Sequence, residues 1–231
     1  TIAVHFCSTV LIPTPPNNKY VFCSCFVFNY YKLYLLKGLH VSLYSGVYSS
    51  CIAFTKSMST NSKQLLGYTG ILVGVGEVAG GLLCSVLGKK SARSDLMFSG
   101  LSRSTVIIIS FFINIAAYSL IFINLPNDSP FGDSYTKSFI KPNQYLAVFC
   151  GFLLGLGDSG FTTQIYNIIG VKYTDDCASA MSLFMFMQAM SAAISFFYSN
   201  QFGLYVQLII LAIVMTIGTL SFLVVDKFIF I

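Results

Sequence analysis

Residues 64–88 read QLLGYTGILVGVGEVAGGLLCSVLG, a stretch of 25 residues in which Glu77 is the one charged side chain. A bilayer core about 30 Å thick needs about 20 mostly apolar residues in an α-helix, so this stretch predicts a membrane span. A carboxylate inside hydrocarbon costs about 2.5 to 3.5 kcal/mol on insertion scales, which is why such groups face a bundle interior, a wet cavity or a partner. We therefore expect Glu77 to mark the interior of the protein.

The composition of the whole chain agrees with this interpretation. Hydrophobic residues make up 55% of the chain and charged residues 9%, whereas an ordinary soluble domain carries about 25% charged residues. The chain is therefore predicted to be an integral membrane protein embedded in the lipid bilayer. Its net charge of +5 does not indicate nucleic-acid binding, because the basic residues lie between apolar runs and form no basic face.

Five further runs complete the predicted membrane domain. Four of them match the first in length and composition: Ser104 to Leu125, Tyr145 to Gly170, Ala178 to Tyr198 and Leu204 to Val225. Leu33 to Phe54 is a weaker candidate because Lys37 and His40 interrupt it. We predict an all-α membrane protein with six transmembrane helices in residues 32–231, or seven if the aromatic run Tyr20 to Tyr31 adds a span.

Residues 1–31 are set apart as an atypical N-terminal segment. The chain begins with Thr1 rather than methionine, and its first apolar stretch lacks the basic start and the small-residue cleavage site of a signal peptide. The segment is expected to be poorly ordered or to result from an incorrect gene model.

Lysine and arginine predict the orientation, because they accumulate on the cytoplasmic side of membrane proteins. If the first span runs outward, nine basic residues lie inside and four lie outside. The inner set is Lys19, Lys32, Lys37, Lys89, Lys90, Arg93, Arg103, Lys172 and Lys227, and the outer set is Lys56, Lys63, Lys137 and Lys141. Both ends of the domain are therefore predicted to be cytosolic.

The loop from Pro126 to Asn143 is rich in turn-forming residues and is predicted to be the longest exposed segment on the outer side. It contains the sequon Asn127-Asp128-Ser129, so Asn127 is a candidate glycosylation site. Such tripeptides also arise by chance, and Pro130 follows this one. Use of the site therefore stays open at this point.

A second acidic side chain, Asp158, lies within a predicted span. Glu77 and Asp158 are each 13 residues beyond the start of their spans, which is about 20 Å along a helix. Since the second and fourth spans run in the same direction, both carboxylates are expected at a similar depth, facing one cavity. His40 and Gln188 are further candidates for this site, although hydrogen bonding between helices would also explain them.

The glycines near these acids form small-xxx-small patterns, which let helix backbones approach closely. The patterns are Gly70-x-x-x-Gly74, Gly76-x-x-x-Gly80 and Gly151-x-x-x-Gly155. Tight helix packing is predicted for them. Exposure of backbone carbonyl groups to an ion or substrate is the alternative.

No residue pattern in the sequence indicates catalysis. The chain has no Ser/His/Asp arrangement with a plausible shared geometry and no metalloenzyme motif. Its seven cysteines are scattered, and the one close pair, Cys23 and Cys25, has no histidine or further cysteine beside it. We predict a protein that is not an enzyme and has neither a metal site nor a cofactor.

The end of the second span carries a motif. Residues 81–90, Gly-Leu-Leu-Cys-Ser-Val-Leu-Gly-Lys-Lys, resemble the cytoplasmic loop signature Gly-x-Leu-x-Asp-Arg-x-Gly-Arg-Lys of the major facilitator superfamily. The matching positions are Gly81, Leu83, Gly88, Lys89 and Lys90. Ser85 and Val86 replace the Asp-Arg pair, whose acid takes part in gating in that superfamily.

Longer stretches resemble one branch of this superfamily, the uncoordinated-ninety-three-like family. They are residues 44–48, 70–81, 152–159 and 196–200, and the resemblance extends over roughly Leu36 to Asp226. It implies that the chain corresponds to the C-terminal six-helix half of a twelve-helix bundle. In that fold the first, second, fourth and fifth helices of a half border the central cavity, and the third and sixth lie outside it.

Three functional hypotheses follow. The chain is expected to be half of a secondary transporter whose Glu77 and Asp158 bind a cation, protons or a cationic substrate near the midplane, as such sites commonly do. Alternatively, it is a non-transporting regulator or trafficking partner of a membrane channel or receptor, a role that the resemblance implies. The third hypothesis is a truncated, inactive product, because a complete cavity needs the missing N-terminal half or a second copy.

Overall fold

Apolar runs separated by polar connections form six helices in the part of the chain that the structure describes. The computed structural model describes residues 32–55, 58, 62–88, 102–132, 134, 138–172, 174, 176–199 and 201–229. The helices are α1 (residues 32–54), α2 (Ser62–Gly88), α3 (Arg103–Asn124), α4 (Gln144–Lys172), α5 (Cys177–Ser199) and α6 (Leu204–Ile229). The predicted spans fall inside them, with Leu125 one residue beyond the end of α3. The prediction of an all-α protein is confirmed.

Helix α1 departs from regular geometry in its middle. A π-helical turn, Leu43–Val47, joins the α-helical residues 32–42 to Tyr48–Phe54. Such turns are rare and are frequently found at functional sites. Helices α2 to α6 are each long and apolar enough to cross a membrane by length and composition, and α1, which the π-helical turn divides, falls outside that set. It is nevertheless deeply packed, with Leu33, Leu36, Tyr48 and Ile52 almost completely buried.

Helices α1 and α4 run in opposite directions. Near the start of α1, Lys37 reaches Asp158 in the middle of α4. Further along α1, the Tyr48 hydroxyl donates a hydrogen bond of 2.6 Å to the carbonyl oxygen of Ala147, close to the start of α4. The order of these contacts shows that the two helices are antiparallel.

Helices α1 and α5, in contrast, are parallel and pack through small residues. A Cβ at Gly38 would collide with the side chain of Ser191. One turn further on, the Ser42 hydroxyl donates a hydrogen bond of 2.5 Å to the hydroxyl of Ser195. Small side chains at these positions let the two backbones approach closely.

Helices α2 and α4 are also parallel, and glycines form the seam between them. A Cβ at Gly155 would collide with the carbonyl oxygen of Val73, and one at Gly80 with the hydroxyl of Ser159. The same holds for the two glycines that complete these patterns: Gly151 packs against Thr69, and Gly76 against the backbone of Phe152. Two of the three predicted glycine patterns therefore pack as predicted.

For the third pattern the described residues offer no packing partner. A Cβ added at Gly70 or Gly74 would meet no described atom within 4 Å. Since an α-helix has 3.6 residues per turn, Gly74 and Gly76 point to nearly opposite sides of α2. The outer of these two faces carries Gly70 and Gly74, and it contacts no other described element.

The connection between α3 and α4 packs across the end of the bundle. Asn124 accepts a hydrogen bond of 2.8 Å from the backbone N–H of Asn143 and donates one of 3.1 Å to its carbonyl oxygen. The backbone N–H of Ser134 donates to the carbonyl oxygen of Phe54 at the end of α1, at 2.9 Å. Leu125, Pro126, Ser129 and Ser134 are buried. The loop from Pro126 to Asn143, which was predicted to be exposed, is therefore partly buried. These contacts hold it as an ordered cap on the end of the bundle.

The apolar core consists of two clusters at different levels of the bundle. The cluster near the capped end includes Tyr48 and Ile121. The other includes Phe161, Phe184 and Phe222. Between the two levels lies a layer of buried polar side chains from α1, α3 and α4, namely Lys37, His40, Asn114 and Asp158. This polar layer marks the position of the candidate site.

Candidate functional site

A cavity of about 410 Å³ lies beside the polar layer. It is lined by residues of α1, α2, α4 and α5, the four helices that the resemblance implies as the border of a central cavity. Its charged and polar lining includes Lys37, Tyr44, Glu77, Asp158, Thr162 and Gln188. A cavity with converging polar groups inside a mostly apolar bundle is the usual form of a binding site for a small ligand.

Asp158 carries two basic partners from α1. Its Oδ1 atom lies 2.6 Å from Nζ of Lys37 and 2.8 Å from Nδ1 of His40. Nζ of Lys37 also donates a hydrogen bond of 2.6 Å to the hydroxyl of Thr162. The side chains of Lys37 and Asp158 are 3% and 7% exposed. Because a charge buried to this degree needs a paired and hydrogen-bonded partner, Lys37 and Asp158 depend on each other.

Glu77 lies across the cavity from this cluster, on α2. Its side chain is half-buried, and Tyr44 of α1 lines the same cavity. Unlike Asp158, it forms no ion pair with any residue in the described part of the chain. Glu77 is therefore the acid on the cavity wall that remains open to a ligand.

His40 links α1 to α3. Its Nδ1 atom faces Asp158, and its Nε2 atom lies 3.0 Å from Oδ1 of Asn114. The Asn114 amide nitrogen donates a hydrogen bond of 2.9 Å to the carbonyl oxygen of Ser110 in the preceding turn. Gly157 makes room for this amide, since a Cβ at that position would lie 2.7 Å from Oδ1 of Asn114. The amide is thus held in one place.

The structure brings the four predicted site residues together. Glu77, Asp158 and Gln188 line the same cavity, and His40 bonds directly to Asp158. The glycine seam sets Glu77 and Asp158 at the same level of the bundle, because Gly155 packs beside the backbone of Glu77. Their roles in binding stay predictions.

Sequence reasoning missed four members of the site: Lys37, Tyr44, Asn114 and Thr162. Lys37 was counted among the cytosolic basic residues, and this is wrong, because it is buried against Asp158. A lysine within an apolar run is itself a signal, since such a charge requires a partner in the membrane. Asn114, a side-chain amide within a span, offered the same signal as Gln188. Tyr44 and Thr162 gave no such signal, because hydroxyl side chains commonly hydrogen-bond within and between membrane helices.

Of the motif residues that the structure describes, one lies at the cavity. Gly81 lines it, whereas Leu83 is 52% exposed on the outer side of α2. Gly88 is the last residue of α2. Lys89 and Lys90 lie outside the described residues. Among the residues that the structure does describe, no three His, Cys, Asp or Glu side chains form a group that could hold a metal ion.

Asn127, the candidate glycosylation site, caps helix α6. Its Oδ1 atom accepts a hydrogen bond of 3.0 Å from the backbone N–H of Tyr205, and its carbonyl oxygen accepts one of 3.0 Å from Leu204. Its amide packs against Gly203, where a Cβ would lie 2.6 Å from Nδ2. A glycan on Nδ2 would have to displace this packing.

We expect Asn127→Ala to lower the free energy of unfolding by about 1 kcal/mol, the usual cost of a lost helix cap. Thermal unfolding in detergent measures this. Digestion with an endoglycosidase should leave the electrophoretic mobility of the wild-type chain unchanged. A mobility shift that disappears in Asn127→Ala would show instead that the site is glycosylated.

The fold and the cavity together define a multi-pass helical membrane protein of the transporter-like, major facilitator type. The family model described as "Ion channel regulatory protein UNC-93" matches residues 23–223, so the chain belongs to the UNC-93 family. The matched region begins at residue 23, inside the N-terminal segment of residues 1–31 that was predicted to be atypical.

Two curated relatives are similar over most of the chain. Both are called "UNC93-like protein MFSD11", from Xenopus tropicalis and Xenopus laevis, and each is 41% identical over 192 residues, which is 82% of this chain. The aligned part covers 41% of each relative, so the chain spans about two-fifths of the length of these proteins. No solved structure matches the chain.

Proposed function

We propose that the chain forms one half of a secondary transporter whose cavity binds a cation, a proton or a cationic solute. The observation that carries this proposal is the placement of Glu77. Its carboxylate lines a cavity at the level of the polar layer, without an ion pair to any described residue. A buried carboxylate that lacks a fixed counter-ion favours a positively charged ligand.

The two acids have different parts in this proposal. Asp158 is already neutralised by Lys37, which occupies its Oδ1 atom at 2.6 Å. A cationic solute would have to displace that lysine before it could bind Asp158, whereas it can approach Glu77 directly. Glu77 is therefore the ligand-binding acid, and Asp158 organises the cluster beside it.

A complete cavity requires more than these six helices. The outer face of α2 is apolar and exposed in the described structure, with Ile71 and Val78 63% and 64% exposed. The curated relatives are more than twice as long as the part aligned with this chain. We propose that an N-terminal half, or a second copy of the chain, completes the cavity on this side.

The proposed orientation keeps both ends in the cytosol. Removing the buried Lys37 from the count of nine inner basic residues leaves eight, against four on the outer side. The excess still favours a cytosolic placement of both ends. The capping loop then belongs to the outer side, and the cavity reaches the middle of the helices, since Asp158 and Gln188 are the central residues of α4 and α5.

Neutralising Glu77 tests the proposed function. We expect Glu77→Gln, in the full-length protein reconstituted in liposomes, to abolish uptake of protons or of tetramethylammonium while folding and lipid insertion are unchanged. The two probes separate a proton site from a site for an organic cation. Asp128→Asn is the matched control, because Asp128 is exposed in the capping loop, and it should retain full uptake. Normal uptake in Glu77→Gln would contradict the proposal.

A second candidate function is regulation of an ion channel. It is favoured by the description of the family, whose model carries the words "ion channel regulatory protein". In that role Glu77 and Asp158 would be structural groups. Two results together would favour this function over transport. The protein would capture a channel subunit stably in mild detergent, and co-expression of Glu77→Gln would give the same channel currents as co-expression of the wild type.

A further inference from the structure

His40 lies between two hydrogen-bond acceptors. Its Nδ1 atom is 2.8 Å from Oδ1 of Asp158, and its Nε2 atom is 3.0 Å from Oδ1 of Asn114. A neutral imidazole has one N–H group and can donate to one acceptor at a time. Only the imidazolium, with both nitrogens protonated, satisfies both acceptors.

The orientation of the Asn114 amide places its oxygen, a hydrogen-bond acceptor, opposite Nε2 of His40. An amide has a donor side and an acceptor side, and their assignment follows from the hydrogen-bond network. Here Nδ2 of Asn114 donates to the carbonyl oxygen of Ser110 at 2.9 Å. If the amide were rotated by 180°, two oxygens would face each other. Oδ1 therefore points to His40.

The charges around His40 balance when it carries this second proton. The titratable and charged groups that face it are Lys37 and Tyr44 from α1, Glu77 from α2 across the cavity, Tyr118 from α3 and Asp158 from α4. On α5 the cavity wall carries the uncharged Gln188, and on α6 Asp226 is bonded to Ser104.

Lys37 and a charged His40 would match the two carboxylates of Asp158 and Glu77. With Glu77 ionised and His40 neutral, the cluster would hold one negative charge in excess. Burying an unpaired charge is costly, so the second proton on His40 completes a neutral cluster.

We propose that His40 is a proton-binding site beside the cavity, and that Asn114 is the positioning residue that holds the proton on Nε2. His40 is separated from the cavity by Asp158, which lines it. The proton is exchanged with solvent, so no other reactant is needed. Loss of this proton would leave a negative cluster that attracts a cation to Glu77. This coupling rests on the proposed function, but occupancy of His40 by the proton is measurable without transport.

The test is ¹⁵N-histidine NMR of the protein in lipid nanodiscs at neutral pH. The chain contains two histidines, His5 and His40, and His40→Gln identifies the signals of the buried ring. In the wild type we expect both ring nitrogens of His40 to be protonated. In Asn114→Leu we expect a loss of the proton on Nε2 and a shift of its resonance to that of a neutral ring.

Two further variants separate hydrogen bonding from packing. Asn114→Asp keeps an oxygen acceptor opposite Nε2 and should keep the ring doubly protonated. Asn124→Leu removes another buried amide of α3, which is bonded to Asn143. Asn124 lies ten residues beyond Asn114, about 15 Å along the helix. This variant should leave the protonation of His40 unchanged. A neutral ring in the wild type, or an unchanged ring in Asn114→Leu, would overturn the proposal. A charged ring in a protein without uptake would overturn the proposed function instead.

Discussion

Asp158→Asn is expected to destabilise the bundle by about 3 to 5 kcal/mol, the usual cost of removing one partner from a buried ion pair. The carboxylate of Asp158 lies 2.6 Å from Nζ of Lys37, and both side chains are almost completely buried. The variant leaves the lysine charge in an apolar interior without its counter-ion. Thermal unfolding of the purified protein in detergent measures the loss.

A double variant is the control for this prediction. Lys37→Met combined with Asp158→Asn removes both charges and keeps similar side-chain volumes. Because replacement of a whole buried ion pair by neutral groups is often tolerated, the double variant should recover most of the stability lost in Asp158→Asn. Equal stability of Asp158→Asn and the wild type would show that Lys37 is not dependent on this carboxylate.

The ion pair of Asp158 also determines which acidic residue should be substituted in transport measurements. Loss of uptake in Asp158→Asn would follow from unfolding as readily as from a lost binding site. Glu77 lacks an ion pair to described residues and is half-buried, so Glu77→Gln should leave the fold intact. A transport defect in that variant therefore reports on the cavity itself.

Gly155→Ala is the second substitution with a large expected effect. The new Cβ would collide with the carbonyl oxygen of Val73 and would lie 2.9 Å from its carbonyl carbon and 3.1 Å from the backbone nitrogen of Glu77. These are helix backbone atoms, so α2 and α4 must separate to make room. Overpacking costs about 1 to 3 kcal/mol, and sometimes more; we expect the upper part of this range, measured as a loss of thermal stability.

Gly74→Ala provides the matched control on the same pair of helices. A Cβ at Gly74 meets no described atom within 4 Å, and alanine favours a helix over glycine by about 0.5 to 1 kcal/mol. In the chain without a partner on the outer face of α2, we expect unchanged or slightly higher stability. If Gly155→Ala and Gly74→Ala had the same effect, the glycine seam between α2 and α4 would be incorrect.

The membrane fold was predictable because its cause is local. Twenty apolar residues in succession predict a span wherever they occur, and the boundaries of α4 and α6 follow from their apolar runs. The similar level of Glu77 and Asp158 within the bundle was predictable, since helix rise converts sequence position into height. Their placement on one cavity follows from that height and from the parallel direction of α2 and α4.

The partners inside the site were not predictable from one sequence. Lys37 and Asp158 are separated by 121 residues, and His40 and Asn114 by 74. Sequence patterns give the face of a helix but not the rotation of that helix against its neighbours. The same limit applies at Gly70 and Gly74, where spacing alone could not tell a face packed within these six helices from an outer one.

The cap formed by the α3–α4 connection has a mechanical consequence. Through Asn124, Asn127 and Ser134 it is bonded to the ends of α1, α3, α4 and α6. Helices tied at one end can separate only by tilting about that end, and the displacement grows with distance along each helix. The cap is therefore a pivot for α1, α3, α4 and α6, and any separation of these four helices is largest at the end of the bundle opposite the cap.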